Sequence, residues 1–241
     1  MAVDTVAGAQ REFPPTRWSL VLAARAGKPA RQTALNELLA MYWAPLYCYA
    51  RRKGLDRDAA QDVVQGLLAQ LLERDFVAQL DPAKGRLRAY LRTALNNYLV
   101  NRHAHAAAQK RGGGAPMLSL DVDSVERQID PATPNPDAAF EREWAVQVMQ
   151  RALTQLRREF ESGTRRGPFA VVLAFFQPGT DPPSYATVAA AHGMSVPQLK
   201  AFLHRARARF RELVRHEVEQ TVADASEVDA EIGDLFRALS G

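Results

Sequence analysis

Residues 184–211, SYATVAAAHGMSVPQLKAFLHRARARFR, confine this chain more tightly than any other stretch. They predict a short helix over about Tyr185 to His192, a tight turn and a second helix. Small residues hold the first helix close to its partner, and Gly193 is the residue type suited to the left-handed backbone that ends a helix and redirects the chain. Ser195 and Gln198 have the Ser-x-x-Gln spacing of a capping box, and Pro197 falls in the first turn, where its missing N–H costs nothing. Leu199, Leu203, Ala206 and Phe210 recur at helical spacing and predict the face turned toward the first helix, with Met194 as a plug between the two. Gln198, Ala201, His204, Arg205, Ala208 and Arg211 take the opposite side, and no Asp or Glu occurs in the stretch. Small residues let a backbone approach a groove floor, while Arg, Gln and His reach base edges and phosphates. The pattern therefore points to duplex DNA; the plain alternative is a surface helix with a basic, solvated face.

Charge is segregated along the rest of the chain. The formal net charge is only +4 over 241 residues. No acidic residue lies between Asp81 and Asp121, however, a span that holds Lys84, Arg86, Arg88, Arg92, Arg102, Lys110 and Arg111. The stretch from Glu217 to the end reverses the sign, with Glu217, Glu219, Asp224, Glu227, Asp229, Glu231 and Asp234 against Arg237 alone. Segments of opposite charge attract different partners. Cys48 is the only cysteine, which excludes an intramolecular disulfide and a cysteine-based zinc site, and its apolar context makes it a small buried hydrophobe. Neither a signal peptide nor a membrane-spanning run is present, so the expectation is a cytoplasmic protein without membrane insertion.

Strand signals are nearly absent, and the apolar positions recur at helical spacing. A short helix capped by Thr16 is expected within Phe13 to Arg25, and a longer helical region from Arg31 to Lys53, split or kinked at Pro45. Asp56 caps a helix over Arg57 to Arg74, and a long basic helix follows from Arg86 to about Gln109. The glycines at 112–114 stop it, and the Gly-, Pro- and Asp-rich chain up to Pro136 reads as a linker. Further helices are expected from Asp137 to about Gly163 and over Phe169 to Phe176. The fold class is thus all-α, with two small helical domains joined by a flexible linker.

The order of these parts resembles the bacterial sigma factors of the extracytoplasmic-function type, a branch of the sigma-70 family, over about Ala34 to Val214. The resemblance rests on Asp62-Val63-Val64-Gln65, similar to the family's Asp-x-x-Gln-Glu-x-Phe, on the Asn- and Arg-rich helix RLRAYLRTALNNYLVNRHAHAAAQKR, and on Lys200 to Arg207, similar to a Val-Lys-Ser-Arg-Leu-His-Arg-Ala-Arg run. It implies a division into an amino-terminal extension at 1–30, a region 2-like domain at 31–111, an acidic linker at 112–136, a region 4-like helix-turn-helix domain at 137–215 and an acidic tail at 216–241.

It also implies two partners, core RNA polymerase and promoter DNA, the latter both as duplex and as melted single strand. Asp62, Gln65 and Leu68 would meet polymerase. Arg88, Arg92, Asn96, Asn97, Asn101, Arg102, Lys110 and Arg111 would hold the melted strand, a task suited to cationic and planar polar side chains. Ser195, Gln198, Lys200, Ala201, His204, Arg205, Arg207 and Arg211 would read the upstream element. Three residues depart from the family pattern: Gly66 replaces an acidic residue, Leu68 a phenylalanine, and Phe202 an arginine. Phe202 lies roughly 70° from the core stripe at 100° per residue, so it is expected to join the core. Tyr90 and Tyr98 remain open between core packing and base stacking.

No catalytic constellation, metal site or phosphate loop is legible, so neither enzymatic activity nor a cofactor is expected. The rivals are a stand-alone helix-turn-helix regulator that binds duplex DNA without polymerase, and a helical nuclease, which lacks clustered carboxylates near the basic windows. The amphipathic acidic tail, with Val218, Val222, Val228, Ile232, Leu235, Phe236 and Leu239, is expected to pack back on a helical domain or on a regulatory partner, masking a basic surface, or simply to cover the carboxy-terminal core.

Overall fold

The computed structural model describes residues 29–73, 86–105, 122–128, 135–164, 167–176, 183–222 and 224–240, with the backbone alone at 29–34, 38, 73, 102–105, 124 and 128. The Thr16 helix lies outside the described residues. Among them every α or 3-10 element is helical and no strand occurs. No described helix is long and apolar enough to cross a membrane.

Helix α1, Pro29–Arg52, is one continuous helix with Pro45 inside it, so the expected split is not found. Pro45 cannot donate to the carbonyl of Met41, which costs a backbone hydrogen bond. Every residue from Met41 to Ala50 is buried, and a helix apolar on all sides gains enough from packing to continue through one lost bond. Helix α2, Arg57–Glu73, starts where Asp56 Oδ1 accepts from the Ala59 N–H at 2.8 Å. It buries Val63, Val64, Leu67, Leu68 and Leu71. Helix α3, Leu87–His105, buries Leu87, Leu91 and Leu95 at a spacing of four. Gly66 of α2 faces Tyr98 of α3 so closely that a Cβ would collide with the Tyr98 hydroxyl. The Tyr98 ring fills the space a side chain at Gly66 would take, and Tyr98 is therefore a packing residue.

The segment expected to be a flexible linker contains a helix, α4, Val122–Gln128. Val122 and Val125 are buried. Glu126 accepts from Tyr47 and from Arg51 Nε at 2.6 Å, and Asp123 lies 2.6 Å from Arg57. The Arg51 hydrogen bond is the main reason the Glu126 carboxyl is held below its ordinary range. Two apolar positions plus two ion pairs dock α4 on α1 and α2, so this part of the chain is anchored.

Helix α5, Pro136–Glu161, is capped by Asn135, whose side chain accepts from the Ala138 N–H at 2.6 Å. It packs against α1 along its first half, with Tyr42 and Phe140 stacked at 6.5 Å, and its buried stripe continues through Trp144, Val148, Ala152 and Leu156. The remaining helices are α6, Phe169–Phe176; α7, Tyr185–Ala191; α8, Val196–Glu219; and, after a 3-10 turn at Ala225–Glu227, α9, Val228–Ser240. Helix α8 packs on α5 and α7, while α9 packs on α5 and α8. The two helical units foreseen in the sequence thus share α5, and their buried residues form one cluster from Leu35 to Leu235.

The interior holds one acid whose titration is a test of the packing. Glu143 of α5 is buried and accepts from Gln147 Nε2 at 2.8 Å; burial raises its carboxyl above the ordinary value. Burial, and secondarily Glu143, push the Cys48 thiol up as well. A carboxyl whose folded pKa is raised binds its proton more tightly folded than unfolded. Its contribution is therefore most favourable at low pH and is lost as pH rises through the folded value. Glu143→Gln keeps the hydrogen bond and removes the charge. It is expected to raise the melting temperature at pH 7.5, with the gain shrinking as pH is lowered through the carboxyl's titration; thermal melts of both proteins across pH 4–8 check this.

Candidate nucleic-acid interface

The turn between α7 and α8 has the geometry its sequence foretells. Gly193 adopts φ +62°, and Met194 N–H returns to the Ala189 carbonyl at 2.9 Å. Ser195 caps α8: its hydroxyl accepts from Gln198 N–H at 3.4 Å, and Gln198 Oε1 accepts from Ser195 N–H at 2.7 Å. Reciprocal capping fixes the entry angle of the second helix. Leu199, Leu203 and Ala206 are buried and Phe210 half-buried, with its ring 5.5 Å from that of Phe176.

Phe202 is 8% exposed. Its ring lies 5.8 Å from Phe160, edge to face, and covers Gly167, where a Cβ would approach to 2.5 Å and where φ is +118°. Phe202 is thus a core residue, packed over a glycine that no side chain can replace without strain.

All eight residues expected to read duplex DNA, Ser195, Gln198, Lys200, Ala201, His204, Arg205, Arg207 and Arg211, are exposed. Two of them have their cations placed over rings: Lys200 Nζ is 5.5 Å from the Tyr185 ring and Arg207 6.0 Å from that of Phe176. Other arginines on α8 are tied down by acids. Arg209 donates from Nε and Nη2 to Glu159 at 3.0 and 2.7 Å and from Nη1 to Glu212 at 2.8 Å. Arg215 is held by Asp229 of α9 at 2.6 Å and by Glu219 at 3.3 Å. The cationic strip on this helix accordingly runs from Lys200 to Arg211, along one face over roughly three turns at 3.6 residues per turn.

The second candidate surface, on α3, is arranged otherwise. Arg88 is 6% exposed and surrounded by acids. Its Nε lies 3.0 Å from Glu141, Nη1 contacts Glu231, Nη2 lies 2.8 Å from Asp234, and its guanidinium sits 4.4 Å over the Trp144 ring. Arg86 contacts Asp234 and lies 2.8 Å from Glu231 Oε2, an ion contact without hydrogen-bond geometry. Arg92 is held by Asp137 at 3.1 Å and Glu141 at 3.2 Å, and Arg237 pairs with Asp234. Four guanidiniums meet four carboxylates, so the cluster is formally neutral and needs no outside anion. Glu231 is 2% exposed, and desolvation raises its carboxyl despite the opposing effect of Arg88 and Arg86.

Arg88 and Arg92 are therefore not free to hold a melted strand in this arrangement, because acids on α5 and α9 already occupy them. Asn97 and Asn101 of the same helix are exposed and Asn96 is half-buried. The Arg102 side chain, Lys110 and Arg111 lie outside the described residues. Among the residues expected to meet polymerase, Asp62 is exposed and Gln65 half-buried, but Leu68 is 2% exposed within the core. A leucine in the apolar stripe of α2 packs inward, so Leu68 presents nothing to a partner here. Among the described residues no group of three or more His, Cys, Asp or Glu could hold a metal ion.

Sequence reasoning missed the acids of α5 that engage α3, and left open which basic surface the acidic tail covers. Asp137, Glu141 and Trp144 stand at i, i+4 and i+7 on one face of α5, and Glu231 and Asp234 stand three apart on α9; an acidic stripe ending in a tryptophan was the available signal. Breaking a buried pair from one side costs about 3–5 kcal/mol, whereas replacing both partners by apolar residues is often neutral. Arg88→Met alone is expected to lower unfolding stability by about that amount, and Arg88→Met with Glu231→Leu to recover most of it; urea unfolding of the two single and the double variants measures the coupling. No protein-family model, curated protein or solved structure matches this chain.

Proposed function

We propose that this chain is a sigma factor, a dissociable subunit that binds core RNA polymerase and directs promoter recognition and opening. The observation that carries the reading is the face of α8: a cationic strip, all of its expected contact residues exposed, on a helix whose start is fixed by the Gly193 turn and the Ser195 capping box. Such a helix can lie in a major groove with Gln198, Ala201 and Arg205 toward base edges and Lys200, Arg207 and Arg211 toward phosphates. The Asn- and Arg-rich α3 on the same chain supports a second contact, with the melted strand, and exposed Asp62 on α2 supports a contact with polymerase. The family resemblance supplies the link between these parts.

A stand-alone helix-turn-helix regulator is the second reading. It is favoured by the internal pairing of Arg86, Arg88 and Arg92, whereas the cationic face of α8 stays exposed. The two readings separate in one assay. Purified core polymerase, with and without this chain, is tested for run-off transcription on fragments of the source genome. The sigma reading expects fragment-specific initiation that requires the chain; duplex binding without any initiation or polymerase association supports the regulator instead. In either case Arg205→Ala and Arg211→Ala are expected to weaken duplex binding without changing the melting temperature. Each lost phosphate contact reduces the slope of log K against log salt by about 0.9.

A further inference from the structure

Helix α9 touches both candidate nucleic-acid helices at once. Its Asp229 lies 2.6 Å from Arg215 of α8, while Glu231 and Asp234 lie against Arg88 of α3 and Arg86 just before it, more than 140 residues away in sequence. The apolar side of α9 is set into the same core: Val228 and Leu235 are fully buried, Ile232 and Leu239 half-buried, against α5 and α8. Phe236 is left 53% exposed. One short helix therefore carries an apolar stripe that docks it and an acidic stripe that neutralises cations on α3 and on α8.

The carboxylates stand where phosphates would stand. Arg86 and Arg88 present their guanidiniums to two acids three residues apart, an arrangement of anions that a nucleic-acid backbone also offers. A buried ion pair roughly breaks even against its desolvation cost, so the electrostatic part of this contact holds α9 in place without making it permanent. Helix α9 is joined to α8 through the turn at Ala225–Glu227, so its position against α3 is set by side-chain contacts and not by the backbone.

We propose that α9 is an autoinhibitory strap, a built-in polyanion whose Glu231 and Asp234 occupy the α3 arginines that single-stranded nucleic acid requires, and which that strand must displace. This rests on reading α3 as a nucleic-acid segment. In the strapped state α8 keeps its exposed face and can bind duplex; release of α9 frees Arg86 and the Nη1 and Nη2 groups of Arg88 for a melted strand, while Glu141 of α5 keeps the Arg88 Nε in place.

The test uses the full chain and a 20-nucleotide oligo-dT as probe, which has no duplex for α8 to read. Glu231→Gln with Asp234→Asn keeps the shape of α9 and removes its two charges. This variant is expected to bind the oligonucleotide at least tenfold more tightly than the parent at low salt, and the gain is expected to vanish when Arg86→Gln and Arg88→Gln are added. Equal affinity of the folded variant and the parent overturns the strap. Should the variant fail to fold, hydrogen exchange on the unaltered chain decides. Saturating oligo-dT is expected to speed exchange over residues 228–240, and unchanged protection with the probe bound overturns the proposal. The sigma reading fails separately: a strap that releases as described in a chain that never supports initiation leaves the strap standing and removes the polymerase role.

Discussion

The packing of α5 against three other helices is the constraint on which the rest of the molecule depends. It packs on α1, with Phe140 stacked on Tyr42, on α8, with Phe160 against Phe202 and Glu159 paired with Arg209, and on α9. A helix of 26 residues rises 1.5 Å per residue and is long enough to serve both ends of the molecule. Because Phe140, Trp144, Val148, Ala152 and Leu156 are all buried on it, each worth on the order of 1–3 kcal/mol for the larger side chains, neither group of helices keeps a closed core without it. The cationic faces of α3 and α8 are thereby held in a defined relation through one shared element.

Electrostatics then distinguishes the two faces. On α8 the acids Glu159, Glu212, Glu219 and Asp229 neutralise Arg209 and Arg215 and leave the strip from Lys200 to Arg211 in water. Around the start of α3 the balance is closed, with Arg86, Arg88, Arg92 and Arg237 of α9 against Asp137, Glu141, Glu231 and Asp234, beside a tryptophan whose face takes the Arg88 guanidinium. A chain with a net charge of only +4 can present a concentrated cationic surface because its acids are spent at particular arginines and not at others. The closed cluster around Arg88 and the exposed cationic face of α8 are two outcomes of that one distribution.

Much of this was legible in the sequence, for local reasons. The α7–α8 turn was readable because glycine, capping serine and first-turn proline act within a few residues. The boundaries of α2, α5 and α6 followed from caps and apolar spacing, and the inward position of Phe202 followed from its angle on the helix. What failed was non-local. Pro45 reads as a break until the burial of all its neighbours is known. Helix α4 is too short to show a period, and only its docking on Tyr47, Arg51 and Arg57 orders it. Arg88, Arg92 and Leu68 have the right residue types for contacts with partners, yet acids and apolar groups from distant helices take them up. The acidic tail was recognisable as a candidate mask, but its register against α3, with Glu231 and Asp234 at Arg86 and Arg88, is a property of the assembled core.

In the free protein α9 rests against α3 and α8. Nitroxide labels at Asn97→Cys on α3 and Ala230→Cys on α9, both exposed positions, measure it directly by pulsed electron resonance, since native Cys48 is buried and takes no label. One narrow distance distribution is expected for the free protein in solution. A broad distribution, or one extending well beyond the dimensions of the packed core, would contradict it.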